Sequence, residues 1–188
     1  MANSRPYRIT VKETLQKVLV AEDSVSTKMD LPPILPPEET GEILGRILRE
    51  HGFADEGGSL VRERRGVRAE VDPGTGRVTV SARDSEEIDL SGEGDLPACT
   101  PCAERAKESL RQGLRDKLAG EADARNRDLQ TQVSDRLEGA LGELGCELER
   151  VGNQVTAQAL RRKASSLGQI KQITHDNETG AVTIVVEV

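Results

Sequence analysis

The hydrophobic pattern divides the chain into a β-rich beginning, one long helical run and a short β-rich end. Between Pro101 and Leu167, Leu110, Leu114, Leu118 and Ala122 recur every four residues, as do Leu129, Val133, Leu137 and Leu141. Leu144, Leu148, Val151 and Val155 continue in steps of four and three. That is one apolar stripe on a helix. The residues between are Glu, Lys, Arg, Gln and Ala, mostly good helix formers, and Pro101 suits a first helical turn. The mean step lies slightly above 3.6, so the stripe drifts and a strict heptad is not kept. Glycines at 113, 120, 139, 142, 145 and 152 each cost about 1 kcal/mol relative to Ala. The pattern leaves three arrangements open: one bent helix, two helices joined near Gly142–Gly152, or a hairpin folding back near Gly120–Asn126.

Before this run, alternation predicts strands. Tyr7, Ile9 and Val11 alternate with Arg8, Thr10 and Lys12, the period of a half-buried strand. The phase slips around Leu15, Val18 and Val20, which predicts a bulge, and Ala21-Glu22-Asp23-Ser24 reads as a turn into a second strand through Val25, Thr27 and Met29. A helix over Val11–Val20 is the rival reading. Leu31-Pro32-Pro33-Ile34-Leu35-Pro36-Pro37 is a stiff connector into a helix that starts with Pro37, Glu38 and Glu39. Ile43, Leu44, Ile47 and Leu48 form its buried face; Gly52 stops it near His51, and Phe53 folds back over the last turn. Short strands follow at Leu60-Val61 and at Val67, Ala69 and Val71. Asp72-Pro73-Gly74-Thr75-Gly76 is a hairpin turn leading to Val78 and Val80. Ile88 and Leu90 add an acidic edge strand, and Ser91–Asp95 reads as a linker.

After the helical run a second hairpin is expected, with Ile170 and Ile173 on one arm and Val182, Ile184, Val185 and Val186 on the other. Its turn, Asp176-Asn177-Glu178-Thr179-Gly180, echoes Asp72-x-x-Thr75-Gly76, and both are followed by Val-Thr and an apolar residue. The echo fits an internal duplication, but Asp-x-x-Thr-Gly is also simply a common hairpin turn. The predicted fold class is α+β: two small β-rich units joined by a long, bent or broken helical segment. The expected parts are 1–95, an N-terminal α+β unit of ββ-α-ββββ type; 96–167, helical; and 168–188, a C-terminal hairpin.

Composition narrows this. With one Tyr, one Phe and no Trp, the core must be aliphatic and thin. The regular apolar spacing argues against disorder in spite of 31% charged residues. The net charge of −7 is unlike a nucleic-acid binder, and stacked-base recognition lacks aromatics. The acidic excess sits in residues 1–100, with 13 Lys/Arg against 19 Asp/Glu. The tight basic cluster is Arg161-Arg162-Lys163, placed to complement a helix C-terminus. No apolar run approaches the roughly 20 residues needed to span a bilayer, and Met1–Tyr7 lacks a secretory core. Three cysteines give no disulfide framework. The expectation is a cytoplasmic protein with no membrane and no nucleic-acid partner.

Candidate chemistry is sparse. Cys99-Thr100-Pro101-Cys102 supplies two thiolates that zinc or a redox reaction can use, at a helix start that lowers thiol pKa. The other ligands available, Cys146, His51 and His175, are scattered. Two isolated histidines support no triad, and the glycine pairs Gly57-Gly58 and Gly74-x-Gly76 lack a phosphate-loop lysine and helix.

Two stretches resemble a known family. One runs from Arg5-Pro6-Tyr7-Arg8-Ile9-Thr10 through Ala21-Glu22-Asp23-Ser24 to Pro32-Pro33-Ile34-Leu35-Pro36-Pro37-Glu38-Glu39. The other runs from Val155-Thr156-Ala157 through Leu167-Gly168-Gln169-Ile170-Lys171 to Thr179–Val185. Both resemble accessory components of bacterial FtsH-type ternary systems, small α+β proteins that accompany AAA+ ATPases of the FtsH or MoxR kind. The resemblance implies a non-enzymatic partner or adaptor of an ATPase and carries over no site residue.

The sequence therefore predicts a non-catalytic interaction protein that binds a protein partner, an AAA+ ATPase or a second copy, without a cofactor. Leu110, Leu114, Leu118, Leu129, Val133 and Leu137 are the expected contact residues, because little else in the chain is available to cover their stripe. The alternatives are a metal- or redox-responsive protein using Cys99 and Cys102, with zinc as the metal, and a small enzyme.

Overall fold

The structure, a computed structural model, describes residues 8–97, 103–175 and 182–187. Their order is β1 (Arg8–Lys28), α1 (Pro37–Glu50), β2 (Ala54–Glu56), β3 (Ser59–Arg64), β4 (Val67–Asp72), β5 (Arg77–Pro97), α2 (Ala103–Leu167), β6 (Gln169–His175) and β7 (Val182–Glu187). Five strands form one sheet in the order β1-β5-β4-β3-β2, and β6 pairs with β7 in a separate two-stranded sheet. The fold is α+β, with antiparallel pairing along β2, β3, β4 and β5 and a long helix. The chain forms two compact units, Met1–Glu22 with Arg83–Ser134 and Asp23–Ala82 with Asp135–Val188. Strands β1 and β5 and helix α2 contribute residues to both.

In the first unit, β1 keeps one parity. Ile9, Val11, Glu13, Leu15, Leu19 and Ala21 face inward, while Val18 and Val20 are exposed. The expected phase slip and the turn at Ala21–Ser24 are therefore absent, and β1 is one 21-residue strand rather than two. The physical reason is the lack of any Gly or Pro between Arg8 and Lys28, together with the burial of Ala21 in the middle of the expected turn. The helix considered over Val11–Val20 is likewise not formed.

Strand β5 also runs for 21 residues, so the separate edge strand at Ile88–Leu90 and the linker at Ser91–Asp95 are corrected to a single strand. It lies between β1 and β4, and the sheet edges are β1 and β2. The glycines mistaken for a linker serve close packing. A Cβ on Gly94 would lie 2.9 Å from Leu110 Cδ1, and one on Gly92 3.2 Å from Leu114 Cδ2. A side chain at either position would push these leucine methyls aside, so the glycines let them pack directly on the strand. Leu118, Ala122, Leu129 and Val133 complete the buried face of α2 here. Inward-facing acids on the strands meet arginines on the helix: Glu13 with Arg111 at 3.6 Å and Arg115 at 3.4 Å, and Glu86 with Arg125 at 3.2 Å.

Helix α2 is continuous from Ala103 to Leu167, so neither the break near Gly142–Gly152 nor the hairpin near Gly120–Asn126 occurs. Tertiary burial along the stripe outweighs the intrinsic cost of its glycines. No helix among the described residues is long and apolar enough to cross a membrane.

In the second unit, α1 buries Ile43, Leu44, Ile47 and Leu48, as the spacing predicts. Gly52 adopts φ +83°, and the Phe53 amide donates to Leu48 O at 3.0 Å, folding the buried Phe53 ring over the last turn. The Asp72–Gly76 turn forms as expected. Asp72 Oδ2 accepts the Thr75 hydroxyl at 2.6 Å, Oδ1 accepts the Gly74 amide at 2.9 Å, and Gly76 N donates to Asp72 O at 2.8 Å. These bonds, the Thr75 hydroxyl first, hold the Asp72 carboxyl below its ordinary pKa. Leu60, Val71, Val78, Val80 and Ala82 of the sheet and Val151, Val155 and Ala159 of α2 are buried. The C-terminal hairpin is present as β6 and β7, with an irregularity between Ile170 and Gln172. Its expected turn, Asp176–Gly180, lies outside the described residues.

Candidate functional site

The site grows from the β3–β4 hairpin of the second unit. The register pairs Leu60 with Val71, Arg62 with Ala69 and Arg64 with Val67. Paired residues share a face, so Arg62 and Arg64 fall on the same side as the apolar Val67, Ala69 and Val71. The loop between the strands is only Arg65-Gly66, with φ +53° and +75°. Two positive φ angles are the mark of a type I′ turn, which favours Asn-Gly or Asp-Gly because a side chain strains the first position. Arg65 occupies that position without glycine's freedom.

Arg62, facing inward, is fully engaged. Its Nη1 and Nη2 donate to Glu147 Oε1 and Oε2 of α2 at 2.7 and 2.6 Å. Nη1 also donates to His51 O at 2.9 Å, and the guanidinium sits 4.5 Å from the centre of the Phe53 ring. His51 Nδ1 lies 3.3 Å from Glu147 Oε1. The Arg62 hydrogen bonds hold Glu147 down at a pKa of about 2, against partial burial that opposes the charged form. The same bonds raise Arg62. This two-pronged pair ties β3 to α2 and leaves no spare charge on either partner.

Beside the pair, an open groove of about 340 Å³ lies between the hairpin and the 135–147 stretch of α2. Val67, Ala69, Ala140 and Leu144 give it an apolar floor, and the small Gly139 keeps it open. Its rim is basic. The Arg136 guanidinium covers the hairpin tip, with Nη1 3.1 Å from where a Cβ on Gly66 would be. The Arg64 and Arg65 side chains are exposed and make no ion pair or hydrogen bond among the described residues. Apart from the matched Arg62–Glu147 pair, Arg64, Arg65 and Arg136 share the lining with Asp135 and Glu143, a small basic excess. An arrangement of this kind can hold an apolar side chain and donate guanidinium hydrogen bonds to carboxylate or phosphate oxygens.

Cys99 and Cys102 lie outside the described residues. Cys146 is an exposed free thiol, and His51 is in the Arg62–Glu147 network. Among the described residues no three His, Cys, Asp or Glu side chains converge as a metal site requires. Leu114, Leu118, Leu129, Val133 and Leu137 are buried within the chain, and Leu110 is half-buried against Gly94. The reason given for them as contacts, an uncovered stripe, does not hold. The Arg161–Lys163 cluster supplies Arg162, which pairs with Glu39 of α1 at 2.9 Å and with Glu42 at 3.8 Å. The hairpin arginines were overlooked although Arg62, Arg64, Arg65 and Arg68 fall within seven residues. Alternation was the signal: Leu60-x-Arg62-x-Arg64 sets arginine where the apolar face should continue. Arg68, the fourth, pairs with Glu56 at 2.9 Å.

No curated protein and no solved structure matches this chain. One family model does, over residues 3–188, nearly the whole length. It is described as FtsH ternary system domain X5, and the chain belongs to that family.

Proposed function

We propose that the chain is a non-catalytic adaptor that binds another protein and works with an AAA+ ATPase of the FtsH type. The observation that carries this reading is the family match across residues 3–188, whose description names an FtsH ternary system. The groove supports it: an apolar floor beside Arg64 and Arg65, which are unpaired among the described residues, is a protein-docking chemistry in a chain whose net charge is −7. The test is affinity capture of an FtsH-type ATPase from the same cell by the tagged chain, with ATP and with ADP. Retention that depends on nucleotide supports the adaptor role. No retention in either state, or turnover of a substrate by the purified chain alone, removes it.

A second copy is the other protein partner favoured by an observation. Strand β1 is a sheet edge, and Val18 and Val20 on it are 59% and 47% exposed. Light scattering on the wild type and on Val18→Lys decides this. A dimer that the substitution disperses supports edge pairing, and a wild-type monomer at high concentration rejects it.

A further inference from the structure

We infer that the groove under the β3–β4 hairpin binds a short acidic peptide segment, seating an apolar side chain on Val67, Ala69, Ala140 and Leu144 and its carboxylates on Arg64 and Arg65. The inference deepens the adaptor reading and rests on it for the partner being a protein. Three observations carry it, all within the second unit.

The first is charge. Arg64 and Arg65 are exposed and unpaired among the described residues, while Arg62, Arg68 and Arg162 each hold a carboxylate of the chain itself. In a protein with 33 acidic and 26 basic side chains, these neighbouring arginines are available to an outside anion from the hairpin side of a groove whose α2 side carries Asp135 and Glu143. The second is the floor. An apolar lining offers nothing to a bare phosphate or a sugar–phosphate backbone, and the chain has one Tyr and one Phe with which to stack bases. It does offer a seat to a Leu- or Ile-sized side chain. A peptide alternating acidic and apolar residues matches both parts.

The third is Arg65. Its φ of +53° is tolerated far better by Asn or Gly, and its guanidinium gains no partner within the described fold. Positions that work against a local backbone rule cluster at functional sites, and this one borders the groove.

This makes an unusual double expectation for Arg65→Asn. Asparagine suits the first position of a type I′ turn, so the variant folds at least as firmly as the wild type and unfolds at higher urea. It nevertheless binds less well. The experiment is fluorescence anisotropy with a labelled twelve-residue peptide of alternating Glu and Leu, its Gln-for-Glu twin and a labelled oligothymidylate. The wild type binds the Glu peptide, more weakly as salt rises, and binds the Gln twin at least tenfold less tightly. Arg65→Asn weakens binding severalfold, and Arg64→Gln with Arg65→Asn weakens it at least tenfold, with circular dichroism unchanged. Equal binding of the two peptides, unaltered binding by the double variant, tighter binding of oligothymidylate, or no binding of the Glu peptide each overturns the inference. The ATPase capture separates the two claims. If the double variant still retains the ATPase and the peptide does not bind, the groove assignment falls and the adaptor role stands. If the peptide binds and no ATPase is captured, the reverse holds.

Discussion

Replacing Glu147 by Gln tests the link between β3 and α2. The substitution keeps the shape of the side chain and one acceptor oxygen but removes the charge that Arg62 grips at 2.6 and 2.7 Å. Hydrogen bonds to charged groups contribute about 1.5–3 kcal/mol net. Glu147 and Arg62 side chains are 25% and 19% exposed, so water screens part of that. A loss of about 2 kcal/mol at neutral pH follows, partly from leaving the Arg62 charge unmatched. The pH dependence has a definite sign. Glu147 is held at about 2, below its ordinary 4.5, so its contribution is full above pH 4.5 and fades as pH falls from 4.5 towards 2. Urea unfolding followed by far-UV circular dichroism, the suitable probe for a chain without tryptophan, reads this directly. The gap between wild type and Glu147→Gln is about 2 kcal/mol at pH 7 and narrows at pH 3. A gap of the same size at both pH values would refute the charge argument, and a gap below about 0.5 kcal/mol at pH 7 would refute the geometry.

Other substitutions test the packing. Gly41 and Gly45 lie in the same helix, yet Ala has opposite effects at the two. A Cβ at Gly41 meets the Pro73 carbonyl oxygen at 2.9 Å, so Gly41→Ala lowers stability by about 1–3 kcal/mol in urea titrations, whereas Gly45→Ala, with its nearest neighbour at 3.5 Å, is neutral or stabilising by up to about 1 kcal/mol. Gly113→Ala and Gly120→Ala point into open space on α2 and raise thermal stability by about 0.5–1 kcal/mol each. Leu44→Ala, at a fully buried side chain of α1, costs about 2–5 kcal/mol by the same titration.

Most of the element order was legible, and the failures share a cause. Apolar period placed α1 with its buried Ile43, Leu44, Ile47 and Leu48, the Asp72–Gly76 turn and the stripe of α2, because each carries its own local signal. The long strands β1 and β5 were cut in pieces because their inward faces are not purely apolar. Glu13, Asp84 and Glu86 face the core side, Val18 and Val20 face outward, and Gly92 and Gly94 make room for leucines of α2. Only knowledge of what packs opposite distinguishes a glycine at a close approach from a glycine in a loop. The same blindness hid the groove. Arg62 reads as a misplaced charge until Glu147, 85 residues away, is seen to meet it. Likewise, the first half of the α2 stripe looked uncovered because nothing in the sequence says that β5 extends far enough to pack against Leu110 and Leu114.

The central claim, that this chain docks a protein partner of an FtsH-type system through its arginine rim, is tested most directly by calorimetric titration of the purified chain into the purified ATPase at low and at high salt. The account predicts saturable binding that weakens as salt rises and is lost, at least tenfold, in Arg64→Gln with Arg65→Asn. Absence of binding at either salt, or binding indifferent to both salt and the two arginines, would contradict it.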